Sequence, residues 1–134
     1  MAKALVFGTF DVLHEGHKFF LTKAKELADE LIAVVALDEY VEMIKKKKPV
    51  EDQYQRMENV RKTGIANEVV LSDKEIGTYI IVKEKNPDVI AFGYDQSELA
   101  EDFINWIKDN NLNIKTAVID PFHPEQYKSS LLSK

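Results

Sequence analysis

"GTFDVLHEGHKFFL" (residues 8–21) sets two of the chain's three histidines and two glycines between an apolar run and a helix-like pattern. The run before it, "ALVF" (4–7), reads as a short buried strand, and a glycine follows where the backbone must turn or let another group come close. After it, Phe19, Phe20, Ala24, Leu27 and Ala28 recur at the i, i+4, i+7 spacing of a helix with one buried stripe, expected over residues 16–30. Strand, glycine-bearing turn and helix in that order open an α/β unit.

The same alternation continues outward. Apolar runs at 31–37, 68–71, 88–92 and 114–119 read as strands, and amphipathic stretches at 53–63, 77–85 and 98–110 read as helices. Asn86-Pro87 ends the third helix, because the proline ring disfavours helix in the residue before it, and Asn110-Asn111 closes the fourth. Strands separated by helices require crossovers and a sheet covered on both faces. The expected fold class is therefore α/β: a Rossmann-like, doubly wound, mostly parallel five-stranded sheet with helices on both faces. No repeat, low-complexity tract or linker interrupts residues 1–134, which are expected to form one domain.

Composition narrows the function. With 18 Lys+Arg against 23 Asp+Glu, the formal net charge of -5 argues against general attraction to nucleic acid or an anionic membrane. The absence of cysteine excludes a disulfide framework and a thiolate zinc site, and fits an intracellular compartment. "MAKALVFGTF" has too short an apolar run for a signal peptide, and no stretch is long enough to span a bilayer, so a cytoplasmic protein is expected.

Open parallel sheets collect ligands at the carboxyl ends of their strands, where the strand order reverses. Two unusual segments sit at such ends: Gly8-Thr9-Phe10-Asp11 after the first strand and Gly93-Tyr94-Asp95-Gln96 after the fourth. His14-Glu15-Gly16-His17 then leads into the first helix, whose N-terminal N–H groups and positive dipole end favour phosphate. Two imidazoles one turn apart add ring N–H donors, which suits a polyphosphate. The competing reading has Thr9 or Asp11 capping the helix and the histidines at the surface. A zinc site would need Asp11 or the distant His123 as third ligand, and the G-x-G-x-x-G dinucleotide spacing is missing.

These residues resemble a known signature. "GTFDVLHEGH" is similar to that of the HxGH nucleotidyltransferase superfamily, in its cytidylyltransferase-like branch. The lysine-rich "IKKKKP" (44–49), "GYDQ" (93–96) and the serine pair 129–130 follow in the same order. The resemblance implies transfer of NMP from an NTP to a phosphate or hydroxyl acceptor with release of pyrophosphate. It implies that His14 and His17 contact the phosphates, joined by Lys47 in catalysis. Gly8, Thr9, Phe10, Glu15, Gly16 and Asp95 would surround the nucleotide, with Ser129 and Ser130 on its phosphates and Phe122 bordering the base.

Asp11, Lys45 and Arg56 would face the acceptor or its phosphates. Asp11 is read either as a cap of the first helix or as an outer ligand of magnesium, and Arg56 alternatively as a surface partner of Glu58 or Asp52. Asp95 is read on the ribose or the acceptor, with capping of the helix near Ser97 as its competitor. Phe122 has a plain core role as its alternative, and His123 reads as a loop residue. Mg2+ or another divalent cation would accompany the nucleotide, without a protein metal cage.

Cytidylyltransferases carry an Arg-Thr segment near the C-terminus that is reduced here to "YKSS" (127–130). With "GYDQ" and the short length, that makes the chain more similar to archaeal FAD synthetases, which transfer AMP from ATP to FMN. It departs from them in having no C-terminal cysteine. Alternatives from the same resemblance are CTP with glycerol 3-phosphate, or adenylyl transfer to a sugar phosphate such as a heptose phosphate. A non-catalytic nucleotide-binding module is the alternative of another class. The resemblance is compatible with a homodimer paired near the lysine loop.

Overall fold

The computed structural model describes residues 2–74 and 78–121. In chain order its elements are β1 (Lys3–Gly8), α1 (Glu15–Lys25), β2 (Glu30–Val35), α2 (Asp38–Lys45), α3 (Gln53–Lys62), β3 (Glu68–Leu71), α4 (Ile80–Lys85), β4 (Val89–Gly93), α5 (Ser97–Asp109) and β5 (Lys115–Ile119). The strands form one sheet in the order β3-β2-β1-β4-β5, every neighbouring pair parallel. The fold is thus the Rossmann-like arrangement expected, with a wholly parallel sheet.

Parallel sheets covered on both faces need apolar residues on both sides of each strand, and the three central strands have them. Ala4 and Val6 of β1, Leu31, Ala33 and Val35 of β2, and Ala91 of β4 belong to one core layer, with Leu21 and Ala24 of α1 and Val60 of α3. Leu5, Ile32, Val34, Ile90 and Phe92 alternate with them into the second layer, against Ile81 and Val82 of α4 and Phe103 of α5. Phe103 lies at the centre of an aromatic group, with ring centroids 5.2 Å from Tyr79, 5.5 Å from Trp106 and 5.9 Å from Phe92. Such pairs add to the area they bury.

Several boundaries differ from expectation. β2 ends at Val35, and α2, not expected from the sequence, follows it. The lysine run is therefore not a free loop after a strand: Ile44 and Lys45 close α2, and Lys46 takes the left-handed conformation at its C-cap, with φ 61°. Helix α1 stops at Lys25 instead of residue 30, so Leu27 falls outside it and is 44% exposed, while Leu21 is fully buried in the core. α4 begins at Ile80 instead of residue 77, while it ends at Lys85 before Asn86-Pro87, and α5 ends at Asp109 before the asparagine pair, as expected. Among the described residues, no helix is long and apolar enough to cross a membrane.

Leu21→Ala is expected to cost about 2–5 kcal/mol in urea unfolding, the range for a buried leucine. Leu27→Ala is expected to stay within about 0.5 kcal/mol of wild type. Equal losses would contradict this helix boundary.

Candidate active site

β1 lies between β2 and β4, so its carboxyl end is the point where the strand order reverses. The chain leaving it is held by Arg56, a fully buried arginine on α3. Its Nη1 donates to the carbonyls of Thr9 (2.8 Å) and Ala36 (2.9 Å), its Nε to Glu51 O (3.0 Å), and its Nη2 to the Asp38 carboxylate (2.6 Å). Burial of a guanidinium is tolerable because these acceptors replace its water. Both sequence expectations for Arg56 are corrected by this. Glu58 pairs with Arg61 and Asp52 caps α3 through Gln55 N, while Arg56 spends its donors on the protein and acts by positioning the turn.

Asp11 does not cap α1 either. Its carboxylate accepts from the N–H groups of Val50 (2.8 Å) and Glu51 (2.9 Å). The Glu51 carboxylate answers by accepting from Val12 N at 3.0 Å and from Asn59 Nδ2 at 3.1 Å. This double cross-link holds Phe10 and Val12 at φ 55° and 51°, a region that side-chain-bearing residues rarely occupy. Phe10 there folds its ring back under β1. A Cβ on Gly8 would stand 2.5 Å from that ring, so glycine is required by Phe10 and not only by a ligand.

The residue that caps α1 is His14. Its Nδ1 accepts from Gly16 N at 3.0 Å, and its own N–H donates to Nδ1 of His17 at 3.1 Å. The two histidines thus form a reciprocal cap in which imidazoles take the places usually filled by a hydroxyl and a carboxylate. Their rings lie 3.9 Å apart, and the edge of Phe10 meets His17 at 5.7 Å. A Cβ on Gly16 would come within 2.9 Å of the His14 ring, which explains the glycine between them.

The cap has a chemical consequence. Each Nδ1 is an acceptor, so in the neutral ring the proton sits on Nε2, free to donate. The helix N–H groups expected to meet phosphate directly are partly taken, since Gly16 N goes to His14 Nδ1 and His17 N to His14 O. The α1 terminus therefore presents ring donors.

Half-buried His17 is held neutral, its pKa lowered to about 4 by burial first and then by its electrostatic coupling to the neighbouring His14 ring and the charge of Lys45, against the opposing pull of Asp11 and Asp95. For Asp11, burial works against ionisation, but the Val50 and Glu51 N–H bonds and the charges of Arg56 and Lys45 outweigh it, so its pKa is lowered.

Around this pair the structure gathers part of the expected set. Lys45 is near enough for its charge to act on both His17 and Asp11, whereas Lys47 stands exposed in the following loop. Glu15 is exposed and pairs with Lys18 at 3.5 Å. Asp95 is exposed in the turn after β4, and it is Gln96, not Asp95, that occupies the N-cap of α5. Phe122, His123, Ser129 and Ser130 lie outside the described residues. Among the described residues no three metal-ligating side chains cluster. Sequence reasoning missed Glu51, Asn59 and Gln96. For Gln96 a signal existed in "GYDQ", while Glu51 and Asn59 carry none beyond their charge and polarity.

The chain as a whole is similar to known proteins. Residues 5–133 match the family model described as cytidylyltransferase-like. The chain is 39% identical to the FAD synthase of Thermococcus sibiricus over 92% of its own length and 81% of that protein's. It is 44% identical to the FAD synthase of Methanosarcina barkeri over 75% and 70% of the two chains. Among solved structures, the lipopolysaccharide core biosynthesis protein of Thermoplasma volcanium superposes with a TM-score of 0.84 at 28% identity, covering 92% of this chain and 99% of that one.

His17 titrates at its ordinary value of 6.5 when unfolded and at about 4 when folded. Between these values the unfolded chain binds more protons, so the contribution to stability is complete above about 6.5 and is lost as the pH falls through about 4. Urea unfolding of wild type is expected to lose stability across that window more steeply than His17→Gln. Equal pH slopes in the two proteins would contradict the neutral, capped imidazole.

Proposed function

This chain belongs to the cytidylyltransferase-like family, and we propose that within it the protein is an FMN adenylyltransferase: it transfers AMP from ATP to the phosphate of FMN, forming FAD and pyrophosphate. The observation that carries the proposal is the reciprocal cap of His14 and His17 at the reversal point of the sheet. The relatives named FAD synthase, at 35–44% identity, support the acceptor.

In the reaction a phosphate oxygen of FMN attacks the α-phosphorus of ATP in line, the new P–O bond forms, and the bond to the β-phosphate oxygen breaks. Direct displacement requires no enzyme nucleophile, only positioning and stabilisation of the charge that builds on the phosphoryl oxygens. His14 and His17 donate their Nε2–H groups to those oxygens. A neutral donor suits the task, because protonating Nδ1 would break the bond from the backbone that aims the ring.

Lys45 and Lys47 bring positive charge to the phosphates from the end of α2 and the loop after it. The N–H groups of Thr9 and Phe10 have no partner among the described residues, and they line the nucleotide. Asp95 accepts from the ribose hydroxyls. A divalent cation would enter with the phosphates of ATP and not in a cage of protein ligands: both Asp11 oxygens already accept backbone N–H groups, and no three metal-ligating side chains cluster among the described residues. Such a cation would supply positive charge to the phosphates and so ease the departure of pyrophosphate.

The likeness to the Thermoplasma volcanium protein supports one competitor, a sugar phosphate as acceptor. Pyrophosphate release, followed with ATP or CTP and with FMN, glycerol 3-phosphate or a heptose phosphate, separates these readings. Turnover with ATP and FMN alone, with FAD as product, is expected. Turnover confined to CTP and glycerol 3-phosphate, or to a sugar phosphate, would overturn the acceptor. His17→Ala is expected to lower kcat by about 10²-fold or more with modest loss of ATP affinity, the scale of one lost transition-state donor. Unchanged turnover would remove the histidine from the mechanism.

A further inference from the structure

β1 and β4 run in register from Ala4↔Val89 to Val6↔Ala91 and then cease to pair, although both strands continue, to Gly8 and Gly93. Parting two strands in this way leaves ladder groups without partners in a part-buried place, which is costly unless another group takes them. Gln96 takes them. Its Nε2 donates to Phe7 O at 2.9 Å, and its Oε1 accepts from Gly93 N at 2.7 Å. One side-chain amide, with one donor and one acceptor, replaces the peptide group that a paired strand would have supplied.

The place of Gln96 in the chain supports this. It occupies the N-cap of α5, where short oxygen-bearing side chains are favoured, yet makes no capping bond. Its amide is turned to the sheet instead. In the same turn, a Cβ on Gly93 would meet Asp95 Oδ1 at 3.0 Å and Gln96 Oε1 at 3.6 Å, so the amide that spans the gap and the carboxylate whose charge reaches His17 both lie beside Gly93.

We infer that Gln96 is a positioning residue: it bridges the parted ends of β1 and β4 and so fixes the spacing between the His14/His17 pair on one side of the nucleotide crevice and Asp95 on the other. The inference rests on reading that crevice as the nucleotide site, but not on the identity of the acceptor. Gln96 itself touches no reacting atom. Its loss widens the crevice or lets it close, and the nucleotide then meets only one of its two walls in the right place.

The test is calorimetric titration of Mg-ATP, without acceptor, into wild type, Gln96→Met and Gln96→Glu. Gln96→Met keeps the volume but neither bond, and is expected to weaken ATP binding by roughly 10-fold, the scale of one or two hydrogen bonds. Its melting temperature is expected to fall by only a few degrees, because the site is at the sheet rim.

Gln96→Glu supplies the sharper reading. At about pH 8 its carboxylate would face the Phe7 carbonyl and the Asp95 charge, and binding is expected to be at least as weak as in Gln96→Met. As the pH is lowered towards about 5, the protonated acid regains one donor and one acceptor, and its affinity relative to wild type at the same pH is expected to recover. Comparison with wild type at each pH removes what the two proteins share, so the change in the ratio reports the substituted group. Wild-type affinity in both variants, or a Gln96→Glu ratio that does not change with pH, would overturn the inference while leaving the FMN reaction standing. No nucleotide binding by wild type would overturn both.

Discussion

A single buried guanidinium holds the carboxyl end of this sheet together. Arg56 reaches from α3 to the carbonyls of Thr9, Ala36 and Glu51 and to the carboxylate of Asp38, and so ties the ends of β1 and β2 to the start of α2 and the approach to α3. A charge without solvent tolerates few arrangements, because each lost acceptor leaves it partly unpaired. That constraint fixes where the turn after β1 can go. The Asp11 and Glu51 carboxylates, each accepting backbone N–H groups from the other's segment, then fix its shape.

The turn carries the strain that this arrangement costs. Phe10 and Val12 occupy left-handed conformations, and Val12 does so with a β-branched side chain that is largely exposed. Strain of this kind persists where the surroundings over-determine it, and it often marks functional segments. Here its outcome is the placement of His14 at the head of α1. The histidines hold each other, their Nδ1 atoms facing inward to the backbone and their Nε2–H groups left for a ligand. Gly8 and Gly16 make room for the rings of Phe10 and His14, so their requirement follows from the chain's own side chains before any nucleotide is considered.

Much of the fold was legible because parallel strands buried on both faces are short apolar runs, and this chain separates them cleanly with amphipathic stretches. α2 was not, because within "DEYVEMIK" only Val41 is buried, while Met43 and Ile44 are exposed; so short a pattern cannot separate helix from loop. Leu27 misled for a related reason: it continues the helical spacing of α1 past the point where the helix ends. The histidine pair stood out by type and spacing, although its mode of capping did not, since imidazoles are uncommon in that role. Arg56 was misplaced because hydrophobic periodicity treats an arginine as a surface residue. Only the convergence of three carbonyls and a carboxylate, distant in sequence, reveals it as interior.

The most direct test of this account is the tautomer and charge of the two imidazoles. Two-dimensional 1H–15N spectra of uniformly 15N-labelled protein, tuned to the imidazole nitrogens and assigned with His14→Gln and His17→Gln, report both nitrogens of each ring. At about pH 7.5, well above the ordinary histidine range, the account predicts an unprotonated Nδ1 and a protonated Nε2 in both rings. It also predicts that His17 stays in that form as the pH is lowered to about 5. A protonated Nδ1 in either ring at about pH 7.5, or an imidazolium at His17 near pH 6, would contradict the reciprocal cap and the mechanism built on it.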